Sequence, residues 1–137
     1  MGATEFPLRV VGYVRSSLKS RSQAPRQGNE GAPSASIELD PALREGLSGI
    51  QAGHELILLT WFHEARRDVL KLHPRNDPSL PLTGVFATRS PDRPNPIGLH
   101  RVRVLAVGPS WLEVEPLEAI DGTPIVDIKP VLVVADD

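Results

Sequence analysis

Arg89, Arg93 and Asn95 sit close together in the stretch TRSPDRPNPIGL (Thr88 to Leu99), where Pro91, Pro94 and Pro96 fix the backbone around them. Two guanidinium forks suit a carboxylate or phosphate, and the amide of Asn95 adds a donor and an acceptor. Proline presets φ and removes donors, so the loop is stiff before any ligand arrives. Such a loop avoids roughly 1–2 kcal/mol of ordering entropy for each residue not newly fixed on binding. The same composition also suits a rigid corner whose arginines are merely solvated, and these residues alone leave both readings open.

A second stretch, LEAIDGTPIVDIK (Leu117 to Lys129), carries Asp-Gly followed by Thr-Pro, a sharp turn in which Gly122 supplies positive φ. Asp121 could hold ribose hydroxyls or lie near a cationic centre; it could equally close an Asx-turn. Pro25-Arg26-Gln27 and Trp61-Phe62-His63-Glu64 are weaker signals. A histidine at a strand end can move protons near neutrality, or it can serve as a hydrogen-bonded structural residue. His54, His63, His73 and His100 lack zinc-ligand spacing, so no metal is expected. Walker, nucleophile-elbow and Rossmann glycine patterns are all missing. With no cysteine in the chain, thiolate chemistry, Cys-ligated zinc and disulfides drop out together.

The elements that position these segments are short. Fourteen prolines and eleven glycines in 137 residues disfavour long helices. Leu8 to Val14 reads as a first strand, followed by a long polar loop from Arg15 to Gly31. Ser36 to Leu39 reads as a short second strand. Asp40 reads as an N-cap with Pro41 at the first helical position, giving helical turns over Pro41 to Leu47 closed by glycine. The apolar run His54 to His63 suits a central strand buried on both faces. Glu64 to Pro81 reads as a loop with a helical turn near Arg67 to Lys71, and Gly84 to Thr88 as a short strand. Leu99 to Val107 and Trp111 to Leu117 alternate around Gly108-Pro109-Ser110, the pattern of an antiparallel hairpin. Ile125 to Ile128 is a last strand. The expected fold is mainly β: a small antiparallel β-barrel with long ordered loops and one or two short helical turns, closed to hide its edges.

Length and 40% hydrophobic content suit one domain, residues 1–137, with a sizeable core. No stretch approaches the roughly 20 apolar residues of a membrane span, and the N-terminus lacks a signal-peptide pattern, which reads as cytoplasmic. The net charge of −2 is not that of a bulk nucleic-acid binder. Its distribution is uneven, however. Arg15, Lys19, Arg21 and Arg26 precede the first acidic residue of that segment, Glu30, so a polyanion would approach there; a solvated loop is the plainer reading.

Taken together, GVFATRSPDRPNPIGLHRV (Gly84 to Val102) and DGTPIVDIKP (Asp121 to Pro130) closely resemble the two signature segments of the TsaA/TrmO-like family. Pro25 to Gln27 and the strand ending Trp61-Phe62-His63 fall where that family has its other matching segments. The resemblance spans nearly the whole chain, and its RPNPIG core is specific. Val131 departs from it, standing where the family often has an aromatic residue. Larger bacterial members also carry a C-terminal domain, so the resemblance is to the short single-domain form.

The resemblance implies a dimeric, mostly antiparallel barrel that binds S-adenosylmethionine near the subunit interface. It also implies methylation of N6 of threonylcarbamoyl-adenosine beside the anticodon of tRNA. Carried over residue by residue, the cofactor pocket would involve Pro25, Arg26, Gln27, His63, Glu64, Arg89, Leu99, Ala119, Ile120, Asp121 and Gly122. Arg89 or Arg26 would pair with the methionine carboxylate, Asp121 or its neighbouring backbone would meet the ribose or adenine, and Leu99 and Ile120 would sandwich the ring. His63 or Asp121 would accept the proton. A methyltransferase acting on a small molecule or another nucleoside, and a non-catalytic S-adenosylmethionine-binding module, are the competing expectations.

Overall fold

The computed structural model describes residues 4–26 and 31–132. Six strands close an antiparallel barrel: β1 (Gly12–Arg15), β2 (Ala35–Leu39), β3 (Glu55–Trp61), β6 (Ile97–Val107), β7 (Trp111–Glu115) and β8 (Pro124–Pro130). Around the barrel they run β1, β2, β7, β6, β3, β8, and β8 returns to β1. A separate two-stranded ribbon pairs β4 (Lys71–Leu72) with β5 (Thr83–Gly84). The mainly β, closed-barrel expectation therefore holds. Closure removes the free strand edges that would otherwise invite aggregation.

Alternation decides which side chains enter the barrel. Along β6, Gly98, His100, Val102 and Val104 point inward, while Ile97, Leu99, Arg101 and Arg103 stay outside. The interior is filled by Val14, Ile37, Leu58, Leu112, Val114, Leu117 and Ile125, all fully buried. Among the buried polar side chains, Thr60 and His100 sit on β3 and β6 and point into that interior. The β3–β8 register shifts between Leu59 and Thr60, beside this polar pair. Bulges of this kind re-aim side chains near functional sites.

The Asp40 cap is present, its carboxylate accepting from the Ala42 amide at the head of a 3-10 turn over Pro41–Leu47. Four expectations are corrected. The first strand begins at Gly12, not Leu8, although the Val11 amide still bonds to the Ile125 carbonyl. In β3 the side chains alternate: Leu56, Leu58 and Thr60 are buried while Ile57, Leu59 and Trp61 are half-covered, so only one face joins the core. Gly84 to Thr88 is a strand only at Gly84, because Val85–Ala87 turns as a 3-10 segment whose first carbonyl, that of Val85, accepts from the Arg93 guanidinium. No helical turn forms at Arg67 to Lys71. The Arg67 side chain is drawn instead to the Pro94 carbonyl (2.7 Å) and the Trp61 ring (5.1 Å), and Lys71 pairs with Gly84.

Candidate functional site

The proline-stiffened loop is fixed largely by its own and neighbouring side chains. Arg93 donates to the carbonyls of Thr88 (3.1 Å), Ser90 (3.2 Å) and Val85, which turns one guanidinium into an internal strut. Arg67 holds the other arm, bonding the Pro94 carbonyl and Asn95 Oδ1 (3.1 Å). Asp92 accepts from the Arg66 amide (2.9 Å) and from both terminal nitrogens of Arg21 (3.2 and 3.3 Å). Of the two forks singled out in the sequence, Arg93 is therefore spent on structure. Arg89 is exposed toward open space.

A broad open cavity of about 1510 Å³ lies between this loop, the end of β3 and the segment preceding β8. Pro25, Arg26, His63, Glu64, Arg89, Ala119 and Ile120 all line it. A second recess runs along the outer face of β6, lined by Leu99, Ile97, Arg101 and Arg103 among others. Arg26, Phe62, Phe86, Thr88, Arg89 and Glu118 line both, so they mark where the two meet. Leu99 and Ile120 share no recess, and Gln27 lies outside the described residues. The volume exceeds the roughly 300–1,000 Å³ of a single small-ligand site, which leaves room for a second molecule.

Asp121 and Gly122 line neither recess. Gly122 has φ of +83°, as the Asp-Gly turn requires. The Asp121 carboxylate accepts from the Ser16 amide (3.0 Å) and pairs with Lys19 (3.3 Å), while its own amide donates to the Leu18 carbonyl (2.7 Å). The Ser16 amide bond is the main reason its carboxyl is held below the usual carboxylate range, with Lys19 adding to it. This aspartate ties the start of the basic loop to the barrel. Other basic residues of that loop are engaged too: Arg15 with Glu38 (3.0 Å) and Arg21 with Asp92. His63 stands at the mouth of the cavity, with Nε2 3.7 Å from the Glu64 carboxylate.

The family model for the tRNA-methyltransferase O N-terminal domain matches residues 13–137. The chain belongs to this family. Among its relatives, a probable S-adenosyl-L-methionine-binding protein of Methanothermobacter thermautotrophicus is 41% identical over 95% of this chain and 93% of its own length. Another of that description, from Archaeoglobus fulgidus, is 46% identical over 90% of this chain, which spans only 33% of that relative. A crystal structure of TrmO from Pseudomonas aeruginosa superposes with a TM-score of 0.77 at 32% identity, covering 99% of this chain and 59% of that one.

Within this TrmO-type barrel, sequence reasoning missed a buried polar chain. His100, only 2% exposed, bonds through Nε2 to Thr60 Oγ1 (2.7 Å) and through Nδ1 to Glu118 Oε1 (2.5 Å). Phe62 packs edge-on against the imidazole, with centroids 5.7 Å apart at 81°. The signal was available in part: in the alternating run Ile97 to Val104, His100 takes an inward position otherwise held by small or apolar residues. Glu118 gave no local sign. Among the described residues no group of His, Asp and Glu could hold a metal ion, and no helix is long and apolar enough to cross a membrane.

Proposed function

We propose that this chain binds S-adenosylmethionine in the larger cavity and transfers its methyl group to N6 of threonylcarbamoyl-adenosine beside the anticodon of tRNA. The observation that carries this reading is the gathering of Pro25, Arg26, His63, Glu64, Arg89, Ala119 and Ile120 on one cavity wall. The chemistry of that wall fits the cofactor. Arg26 and Arg89 offer fork donors for a carboxylate, Glu64 offers negative charge for an ammonium or sulfonium group, and buried Ala119 and Ile120 offer an apolar surface for a purine. The relatives described as S-adenosyl-L-methionine-binding proteins support the same ligand.

Bound S-adenosylmethionine supplies an already activated methyl group on a positively charged sulfur. The protein's own work is then to align the acceptor nitrogen, exclude water and remove a proton. Of the two acceptors the resemblance suggests, His63 stands on the cavity, whereas Asp121 is held away from it as a weak base. A second copy of the chain would cover the exposed apolar side chains Ile97, Leu99 and Phe86, placing a subunit interface along the second recess and beside the cofactor.

One observation favours methylation of a small molecule instead: Arg15, Lys19 and Arg21 are already paired with carboxylates, which leaves little uncompensated positive charge for RNA. Purified protein mixed with methyl-labelled S-adenosylmethionine and bulk tRNA separates the readings. Label in tRNA that co-migrates with methylated threonylcarbamoyl-adenosine is expected. Label only in small molecules supports the second reading, and tight cofactor binding without turnover supports a binding module.

A further inference from the structure

The polar chain Thr60, His100, Glu118 runs from the barrel interior to the open cavity. Thr60 is fully buried and the His100 side chain is 1% exposed, while Glu118 keeps 14% of its side chain accessible. Glu118 engages His100 through Oε1; its Oε2 has no partner among the described residues. Glu118 is also one of the residues that line both recesses, so it stands where a ligand in one would meet a ligand in the other. The hydrogen bond between His100 Nδ1 and Oε1 fixes the orientation of the Glu118 carboxyl group. His100 is in turn held by the Thr60 hydroxyl, which fixes the ring orientation.

We infer that Glu118 accepts the proton from the substrate nitrogen during methyl transfer, with His100 as the residue that positions its carboxylate. This rests on the methyltransferase reading above. As the new nitrogen–methyl bond forms, the sulfur–methyl bond breaks and its electron pair stays on sulfur. The nitrogen–hydrogen bond breaks, and the proton goes to Glu118 Oε2. The released product is a neutral thioether, and Glu118 loses its proton to water once the site opens. The other charged groups lining the larger cavity with Glu118 are Arg21, Arg26, His63, Glu64, Arg66, Asp68, Lys71, His73, Arg75, Arg89 and Asp92, and the second recess adds Glu55, Arg93, Arg101, Arg103 and Glu115. Arg26 and Arg89 line both recesses together with Glu118. Asp121 is excluded by its place outside both recesses and by its bonds to Ser16 and Lys19.

The test compares wild type, Glu118→Gln and Glu118→Asp in single-turnover methylation of tRNA, with S-adenosylmethionine affinity measured by calorimetry. In Glu118→Gln, cofactor affinity should stay within about threefold while the transfer rate falls about 100-fold or more and loses its rise across the acidic limb of the pH profile. Glu118→Asp should recover part of the rate together with that limb. His100→Asn should lower kcat with little change in KM and displace the same limb, an effect that a purely structural histidine would not produce.

A readout independent of turnover comes from nitrogen-edited NMR of ligand-free protein. It should show one imidazole N–H protected from exchange, and Glu118→Ala should abolish that protection. An active wild type with an equally fast Glu118→Gln overturns the inference alone, as does an unprotected imidazole proton. A wild type that binds the cofactor but methylates nothing overturns the methyltransferase reading, and this inference with it.

Discussion

Gly98 faces Thr60 across the β3–β6 ladder, and a Cβ added to it would lie 2.5 Å from the Thr60 hydroxyl oxygen. The same carbon would come within 2.5 Å of Phe62 Cζ and 2.7 Å of His100 Nε2. The glycine of the RPNPIG segment is thus the space in which the buried polar chain and its aromatic neighbour meet. Gly98→Ala should force these groups apart and cost about 1–3 kcal/mol, the usual range for overpacking. Chemical denaturation would measure it, and an unchanged unfolding midpoint would show that the cluster yields freely.

Arg89 and Arg93 look equivalent in the sequence but carry different loads. Arg93 satisfies the carbonyls of Val85, Thr88 and Ser90, so Arg93→Ala should cost about 1–3 kcal/mol of stability through acceptors left without their charged donor. Arg89 is exposed on the ridge between the recesses. Arg89→Ala should leave stability within about 0.5 kcal/mol and weaken S-adenosylmethionine binding about tenfold or more by calorimetry. Unchanged affinity would remove Arg89 from the carboxylate site.

This contrast shows what could be read in advance. The barrel strands were legible because alternation and turn residues are local properties: Leu99 to Val107, Gly108-Pro109-Ser110 and Trp111 onward state their hairpin without help from elsewhere. The segment from Glu64 to Thr88 was not. Its conformation is set by Arg67 reaching Pro94 and Arg93 reaching Val85, contacts that no local window contains. Seven cavity-lining positions, Pro25, Arg26, His63, Glu64, Arg89, Ala119 and Ile120, followed from the resemblance of whole segments, whereas Asp121 and Gly122, expected beside them, line neither recess. Glu118 did not follow from it, because its role depends on His100, 18 residues away in the chain.

Asp121 makes a stability prediction with a definite sign. Its folded carboxyl is held below the ordinary value of 3.8, chiefly by the Ser16 amide. Such a group contributes stability that is fully present above the unfolded pKa and is lost as pH falls through the folded one. Asp121→Asn should therefore be less stable than wild type at pH 7, and the gap should close as pH drops below about 4. Urea unfolding at several pH values measures this, and a gap that stays constant down to pH 2 would remove the carboxylate from the argument.

The outer face of β6 makes a prediction about assembly. Ile97 and Leu99 are exposed beside Phe86, which is 82% accessible. If a second copy covers them, Leu99→Asp with Phe86→Asp should convert a dimer to a monomer in sedimentation at micromolar concentration, since charged groups are disfavoured at the centre of an interface. A wild type that sediments as a monomer at these concentrations would count against the dimer, and so would a double variant that remains dimeric.

Binding to RNA should be electrostatic yet modest. Arg15, Lys19 and Arg21 each hold an ion pair at 3.0–3.3 Å with partly exposed partners. Exposed pairs of this kind are worth only about 0–1 kcal/mol, so a phosphate can displace the protein carboxylate at little cost. Arg26 has no ion pair among the described residues and stands on the ridge between the recesses. Each single-strand phosphate contact contributes about 0.7 to the slope of log affinity against log salt, so four contacts would give a slope of roughly −3. The double variant Arg21→Gln, Arg26→Gln should then flatten the slope by about 1.4 while leaving cofactor-independent folding intact. Fluorescence anisotropy with an anticodon stem-loop at several salt concentrations provides the measurement. A slope near zero in the wild type would shift the substrate from tRNA to a small molecule, because no polyanion can be held without releasing its counterions.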